Sequence, residues 1–217
     1  MIISHRLKWV FIHIPKTGGT SIKHIIRYDD RFKHDVNTGK YETEESVLSK
    51  LTTELWAHSN IVEISKYLKD HGYEPKDYFK FAFIRNPWDH TVSRFEYWKQ
   101  VMCKKKKDNC SSTLWKEILW IQKISFKDFI RTKKFGWIYK NSIFNKHNEL
   151  LVDFVGRFER LQDDFNIICD KIKAPNVELP CMNKTNHSHY RTYYDNDDIE
   201  IVRKQHENII ELGNYKF

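Results

Sequence analysis

Trp9-Val10-Phe11-Ile12-His13-Ile14-Pro15-Lys16-Thr17-Gly18-Gly19-Thr20-Ser21 is the stretch on which the fold turns. Its first six residues are an aromatic and β-branched run of strand length, apolar at almost every position, as in a strand buried on both faces. Pro15 stops it. Two glycines and three hydroxyl residues follow, and Ile22, Ile25 and Ile26 then recur at helical spacing. Strand, glycine loop and helix in that order make the opening half of a βαβ unit.

The loop also carries chemistry. Backbone N–H groups at a helix N-terminus, just after a strand, form a ready anion site. Gly18 and Gly19 let the main chain approach an anion closely, Lys16 adds a point charge, and Thr17, Thr20 and Ser21 add hydroxyl donors. The stretch predicts a phosphate cradle where an ordinary strand-to-helix turn would need none of these residue types. It is not the common nucleotide loop G-x-x-x-x-G-K-[ST], because here the lysine precedes the glycines.

Outward from the loop, strands and helices alternate. Val47, Leu48, Leu51 and Leu55 predict a helix over 44–56. Asn60 and Glu63 have capping-box spacing for a helix over 60–70, and Gly72 is its natural stop. Residues 78–84 read as a second strand, and Arg85-Asn86-Pro87-Trp88 ends it. Asn86 then caps a helix reaching about residue 102, with Pro87 in its first turn. Helices are expected over 113–122 and 126–132, the second capped by Ser125 and Asp128. A third strand is read at 150–155, with helices over 159–173 and 197–212. With neither an internal repeat nor a linker, the 217 residues read as one α/β domain: a parallel sheet of about four or five strands with helices on both faces.

Composition narrows the function classes. Charged residues are 30% and hydrophobic ones 40%, with 7 Gly and 5 Pro, which excludes collagen-like and wholly disordered chains. No apolar run approaches the roughly 18 residues of a membrane span. The net charge of +8 suits a polyanionic partner: nucleic acid, an anionic glycan or a phosphate-rich cofactor. The four cysteines form no C-x-x-C pair, so a zinc ribbon is not indicated. Cys103 and Cys110 flank the lysine run 104–107 and could close a small disulfide in an oxidising compartment, or stand as free thiols.

A second cationic centre lies at the end of the second strand. Arg85 can grip a phosphate with its fork. Ser93 stands seven residues after Asn86, two helical turns on and so on the same side. Two anion sites at neighbouring strand ends suit a ligand with two separated phosphates, where open α/β sheets bind ligands.

Taken together, His13 to Ser21 and Arg85-Asn86-Pro87 followed by Ser93 resemble the 5′-phosphosulfate loop and the 3′-phosphate motif of sulfotransferases that use 3′-phosphoadenosine 5′-phosphosulfate (PAPS). The similarity is to the carbohydrate-type branch. It continues through Phe154-Val155-Gly156-Arg157-Phe158-Glu159, Leu179-Pro180, Asn183-Lys184-Thr185 and Tyr193-Tyr194, and is weakest over 103–147. The resemblance implies a P-loop-like sulfotransferase fold. It implies PAPS as donor, 3′,5′-adenosine bisphosphate as product, and no metal. Lys16, Thr17, Gly18, Gly19, Thr20 and Ser21 would hold the 5′ end, and Arg85, Ser93, Lys184 and Thr185 the 3′-phosphate. Phe158 and Trp88 are candidates for the adenine or for the core.

Transfer to an alcohol needs a base, and histidine is the usual one. His58 precedes the capped helix at Asn60, where the resemblance places the base. His187 and His189, near the phosphate loop, are the alternatives, and His13 on the strand reads as structural. The expected acceptor is a carbohydrate or another hydroxyl compound, with amines also open. The lysine run 104–107 could attract an anionic acceptor or be a solvated loop. A phosphotransferase using ATP and Mg²⁺ is a second reading, for which Asp153 after an apolar run would hold the metal. A basic polyanion-binding module is a third, without any known nucleic-acid motif. With no anchor segment, the expectation is a cytoplasmic enzyme of bacterial or viral type, or a Golgi lumenal domain if the chain is trimmed.

Overall fold

The computed structural model describes residues 1–28, 58–104, 111–132, 137–182 and 186–217. The helix expected over 44–56, the run 105–107, Cys110, Lys184 and Thr185 lie outside the described residues. The elements run β1 (Ile2–Ser4), β2 (Trp9–Ile12), α1 (Gly19–Tyr28), α2 (Ile61–Asp70), β3 (Phe79–Ile84), α3 (Pro87–Gln100), α4 (Ser112–Lys123), α5 (Phe126–Arg131), α6 (Trp137–Ile143), β4 (Phe154–Arg157), α7 (Leu161–Ile172), α8 (Asn196–Gln205) and α9 (Glu207–Gly213). They form two compact units, one of Met1–Arg85 with Ile138–Met182, the other of Asn86–Trp137 with Asn183–Phe217.

The first unit holds a four-stranded sheet in the order β1-β2-β3-β4. Strands β2, β3 and β4 are parallel, and β1 joins the edge antiparallel. The period of two along the strands sorts the side chains. Trp9, Phe11, Phe81 and Phe83 point to one face, where Ile22, Ile25 and Ile26 of α1 and Phe165, Ile168 and Ile172 of α7 cover them. Val10, Ile12, Ala82 and Ile84 point the other way and are just as buried. Both faces are therefore dry, which is why these strands read as continuous apolar runs. Truncating one of the inward phenylalanines to alanine costs about 3–5 kcal/mol by the usual core scale.

Three sequence expectations shift. The strand expected over 150–155 begins later, at Phe154. Leu150 and Leu151 instead turn back on the end of α6, through the Phe144–Leu150 bridge and the Leu151 N–H to the Ile143 carbonyl. The ladder to β3 starts only at Asp153, whose N–H donates to the Lys80 carbonyl. Strand β1 and helix α6 were not expected: one is short, and the other lacks a clear apolar period. The helix expected over 197–212 is two helices, broken at the buried His206.

Caps follow their sequence signals closely. Asn60 and Glu63 form the full capping box of α2, and Gly72 beyond its end has φ +80°. In the second unit, the Asn86 side chain accepts from the Trp88 and Asp89 N–H groups at the start of α3, with Pro87 in the first turn. Ser125 and Asp128 cap α5 reciprocally, as Asp195 and Asp198 cap α8. Trp88 is fully buried and its indole N–H donates to the Ile199 carbonyl, so its role is in the core. Cys103 is a free thiol.

Candidate active site

The glycine loop is built from its packing. After β2 the chain passes Ile14 and Pro15 and turns through Lys16 at φ 67° and Gly18 at φ 84°. The Thr17 hydroxyl donates to the Ile14 carbonyl at 2.9 Å, with the side chain fully buried. Its one proton is thus engaged in closing the loop. Gly18 accepts the Ser21 N–H at 3.0 Å and so opens α1. The amides of Gly19 and Thr20 lie in the first turn, where a helix supplies no acceptor.

Packing demands both glycines. A Cβ on Gly18 would lie 2.6 Å from Cδ2 of Leu161 and 3.3 Å from Cδ2 of Phe158. A Cβ on Gly19 would lie 2.1 Å from Cδ2 of His13. His13, leaving β2, thus lays its imidazole on the first residue of α1. Burial first, with the N-terminus, His58 and Lys23 nearby, holds His13 well below the ordinary histidine value, so it is neutral.

Two cations meet here. Arg85 follows the last residue of β3 and is largely buried. Its Nη1 donates to the Lys16 carbonyl at 3.2 Å, and its guanidinium stands 4.2 Å over the Phe158 ring. The Tyr139 hydroxyl donates to the Arg85 carbonyl at 3.4 Å. Burial first, and Arg85 second, lower Lys16 from 10.5 to about 8. Two cations held together against desolvation are a site that an anion would relax.

His58 reaches the same loop. Its Nδ1 lies 3.0 Å from the His13 carbonyl, and the two imidazole centroids are 4.7 Å apart. A carbonyl can only accept, so Nδ1 carries the proton in this contact, and in the neutral tautomer that results Nε2 is the basic nitrogen. The alternatives are differently engaged. His189 Nδ1 accepts the Arg191 N–H as a helix cap, and His187 Nδ1 bonds the adjacent Ser188 carbonyl. Ser93 is buried on α3 of the second unit.

Asp153 does not stand where a metal-holding residue of the loop would. Its carboxylate accepts the Lys80 N–H and pairs with the Lys80 ammonium at 2.7 Å. The register aligns Lys80 with Val10, at the start of β2, whereas Lys16 follows the end of β2. Among the described residues no cluster of three or more His, Cys, Asp or Glu could hold a metal ion. Nor is any described helix long and apolar enough to cross a membrane.

Fold and loop define an α/β protein organised around a strand, a glycine loop and a helix, with a basic pair beside the loop. The profile of the sulfotransferase family matches residues 1–210, through both units, and the chain belongs to that family of transferases. An uncharacterized protein of Archaeoglobus fulgidus is 30% identical over 104 residues, covering 45% of this chain and 70% of that protein. No solved structure matches the chain. Sequence reasoning missed the contact of Phe158 with Arg85 and Gly18. The run Phe154 to Glu159 signalled it only as part of a family resemblance.

Proposed function

We propose that residues 1–217 form one sulfotransferase domain, which moves a sulfuryl group from PAPS to a hydroxyl of a carbohydrate acceptor. The observation that carries this reading is the Lys16–Arg85 contact: two cations from neighbouring strand ends, joined through the Lys16 carbonyl. A donor with phosphates at its 5′ and 3′ positions offers each cation an anion. Main-chain N–H groups of the loop, the Lys16 ammonium and the hydroxyls of Thr20 and Ser21 serve the 5′ end. Arg85 serves the 3′-phosphate, a role in which Ser93, Lys184 and Thr185 join it by resemblance to the family.

In the proposed step, His58 Nε2 takes the proton of the acceptor hydroxyl. That oxygen forms a bond to sulfur while the bond from sulfur to the 5′-phosphate oxygen breaks, in line. The electron pair stays on the phosphate, and Lys16 and the loop N–H groups stabilise the charge growing there. The His13 carbonyl orients His58 throughout and favours the imidazolium formed. Lys16 does the electrostatic work that a metal does in phosphotransferases, and Asp153, engaged with Lys80, gives the Mg²⁺ reading no support.

Transfer of ³⁵S from PAPS to a panel of glycans tests the reading. The expected result is label on a carbohydrate with chelator present, abolished in Lys16→Ala. Transfer of ³²P from ATP that requires Mg²⁺, with no transfer of sulfur, would overturn it.

A further inference from the structure

The end of β4 brings a further side chain, Phe158, against Arg85. Ile84 of β3 pairs with Arg157 of β4 in parallel register, so Arg85 and Phe158 leave their strands side by side. Phe158 opens the single helical turn Phe158–Arg160. Its ring lies 4.2 Å below the Arg85 guanidinium. Its Cδ2 would lie 3.3 Å from a Cβ placed on Gly18. One ring thus lies under the arginine and lines the space beside Gly18 that a side chain there would need.

We propose that Phe158 is a positioning residue for the donor: its ring fixes the Arg85 guanidinium at a set distance from the glycine loop and so selects a ligand carrying a 3′-phosphate. This rests on the PAPS reading. A guanidinium held over an aromatic ring is attracted by the ring face, while its hydrogen bonds are made by N–H groups in its own plane. Nη1 uses one on the Lys16 carbonyl, which fixes rotation within that plane. Ring and carbonyl together restrict where the guanidinium can lie. A flexible arginine would have to be ordered by the ligand at an entropic cost, and preorganisation removes that cost. The ring is only partly buried, so it is not simply filling the sheet core, and it is absent from the cluster that packs β2 and β3.

Calorimetric titration of the whole chain with 3′,5′-adenosine bisphosphate and with AMP tests this, comparing wild type with Phe158→Leu, Phe158→Met and Phe158→Tyr. Leu or Met should weaken bisphosphate binding about 2- to 30-fold, the range of a cation–π contact, and leave AMP within about twofold. Tyr should restore the wild-type value. In an Arg85→Ala background, Phe158→Leu should have no further effect on the bisphosphate. Equal weakening of both ligands, or an unchanged bisphosphate affinity, would make Phe158 a packing residue and overturn the proposal. Should Leu fail to fold, Met, close in volume and without a ring face, carries the same prediction. Wild type binding the bisphosphate no better than AMP would instead overturn the PAPS reading, and the proposal with it.

Discussion

Arg85 donates from Nη1 to the main-chain carbonyl of Lys16 at 3.2 Å, tying the residue after β3 to the loop after β2. Burial first, and the nearby Arg85 charge second, lower the Lys16 ammonium from 10.5 to about 8. Between those values the unfolded chain keeps its proton and the folded chain releases it, so the free protein gains stability as pH rises through the window. Anion binding runs the opposite way. Affinity for 3′,5′-adenosine bisphosphate should fall above about pH 8, by up to about tenfold per pH unit. Lys16→Arg, whose charge does not titrate there, should remove that break in a calorimetric pH series.

His58 should matter to the chemical step and not to donor binding. His58→Gln is expected to lower kcat about 10²- to 10⁴-fold, the usual range for general-base loss. Affinity for the bisphosphate should stay within about twofold. His58→Ala should regain part of its rate with added imidazole, read in a ³⁵S transfer assay.

The first residue of α1 tolerates no side chain while His13 lies on it. Gly19→Ala would place a methyl 2.1 Å from the His13 ring and should cost about 1–3 kcal/mol of stability by overpacking. It should also lower transfer activity, because His13 carries the carbonyl that orients His58. A double-mutant cycle gives the check: in a His13→Ala background the Gly19→Ala penalty should shrink in denaturant unfolding.

His206, buried at the break between α8 and α9, is lowered from 6.5 to about 4 by burial first and Arg94 second. As pH falls from 6.5 towards 4 the unfolded chain binds a proton that the folded chain refuses. Stability is therefore lost on acidification, by at most about 1.4 kcal/mol per pH unit for this one group. His13, also held neutral, adds to the same slope. Denaturant midpoints across pH 7 to 4 should fall, and fall less steeply in His206→Asn.

Local signals made much of this legible. The two capping boxes at Asn60 and Ser125, the Asn86 cap and the two core strands follow from residue spacing, because caps and apolar runs act within a few residues. Strand β4 was misplaced because Leu150 and Leu151 are apolar enough for a strand, and their pairing with the end of α6 is a tertiary matter. Lys16, the glycines and Arg85 stand out in the sequence by residue type, and the structure brings Arg85 to the Lys16 carbonyl. The Thr17 hydroxyl, a candidate donor by residue type, closes the loop on Ile14, a bond that spacing did not signal. The tautomer of His58 and the ring under Arg85 depend on partners 45 and 73 residues distant in sequence, which spacing cannot reveal.

The most direct test of the donor assignment is a calorimetric titration with 3′,5′-adenosine bisphosphate, set against ATP–Mg²⁺ and AMP. The account predicts selective binding of the bisphosphate without metal, lost in Lys16→Ala and Arg85→Ala variants that keep their thermal transition. Binding of ATP–Mg²⁺ in preference to the bisphosphate, or bisphosphate binding indifferent to both substitutions, would contradict it.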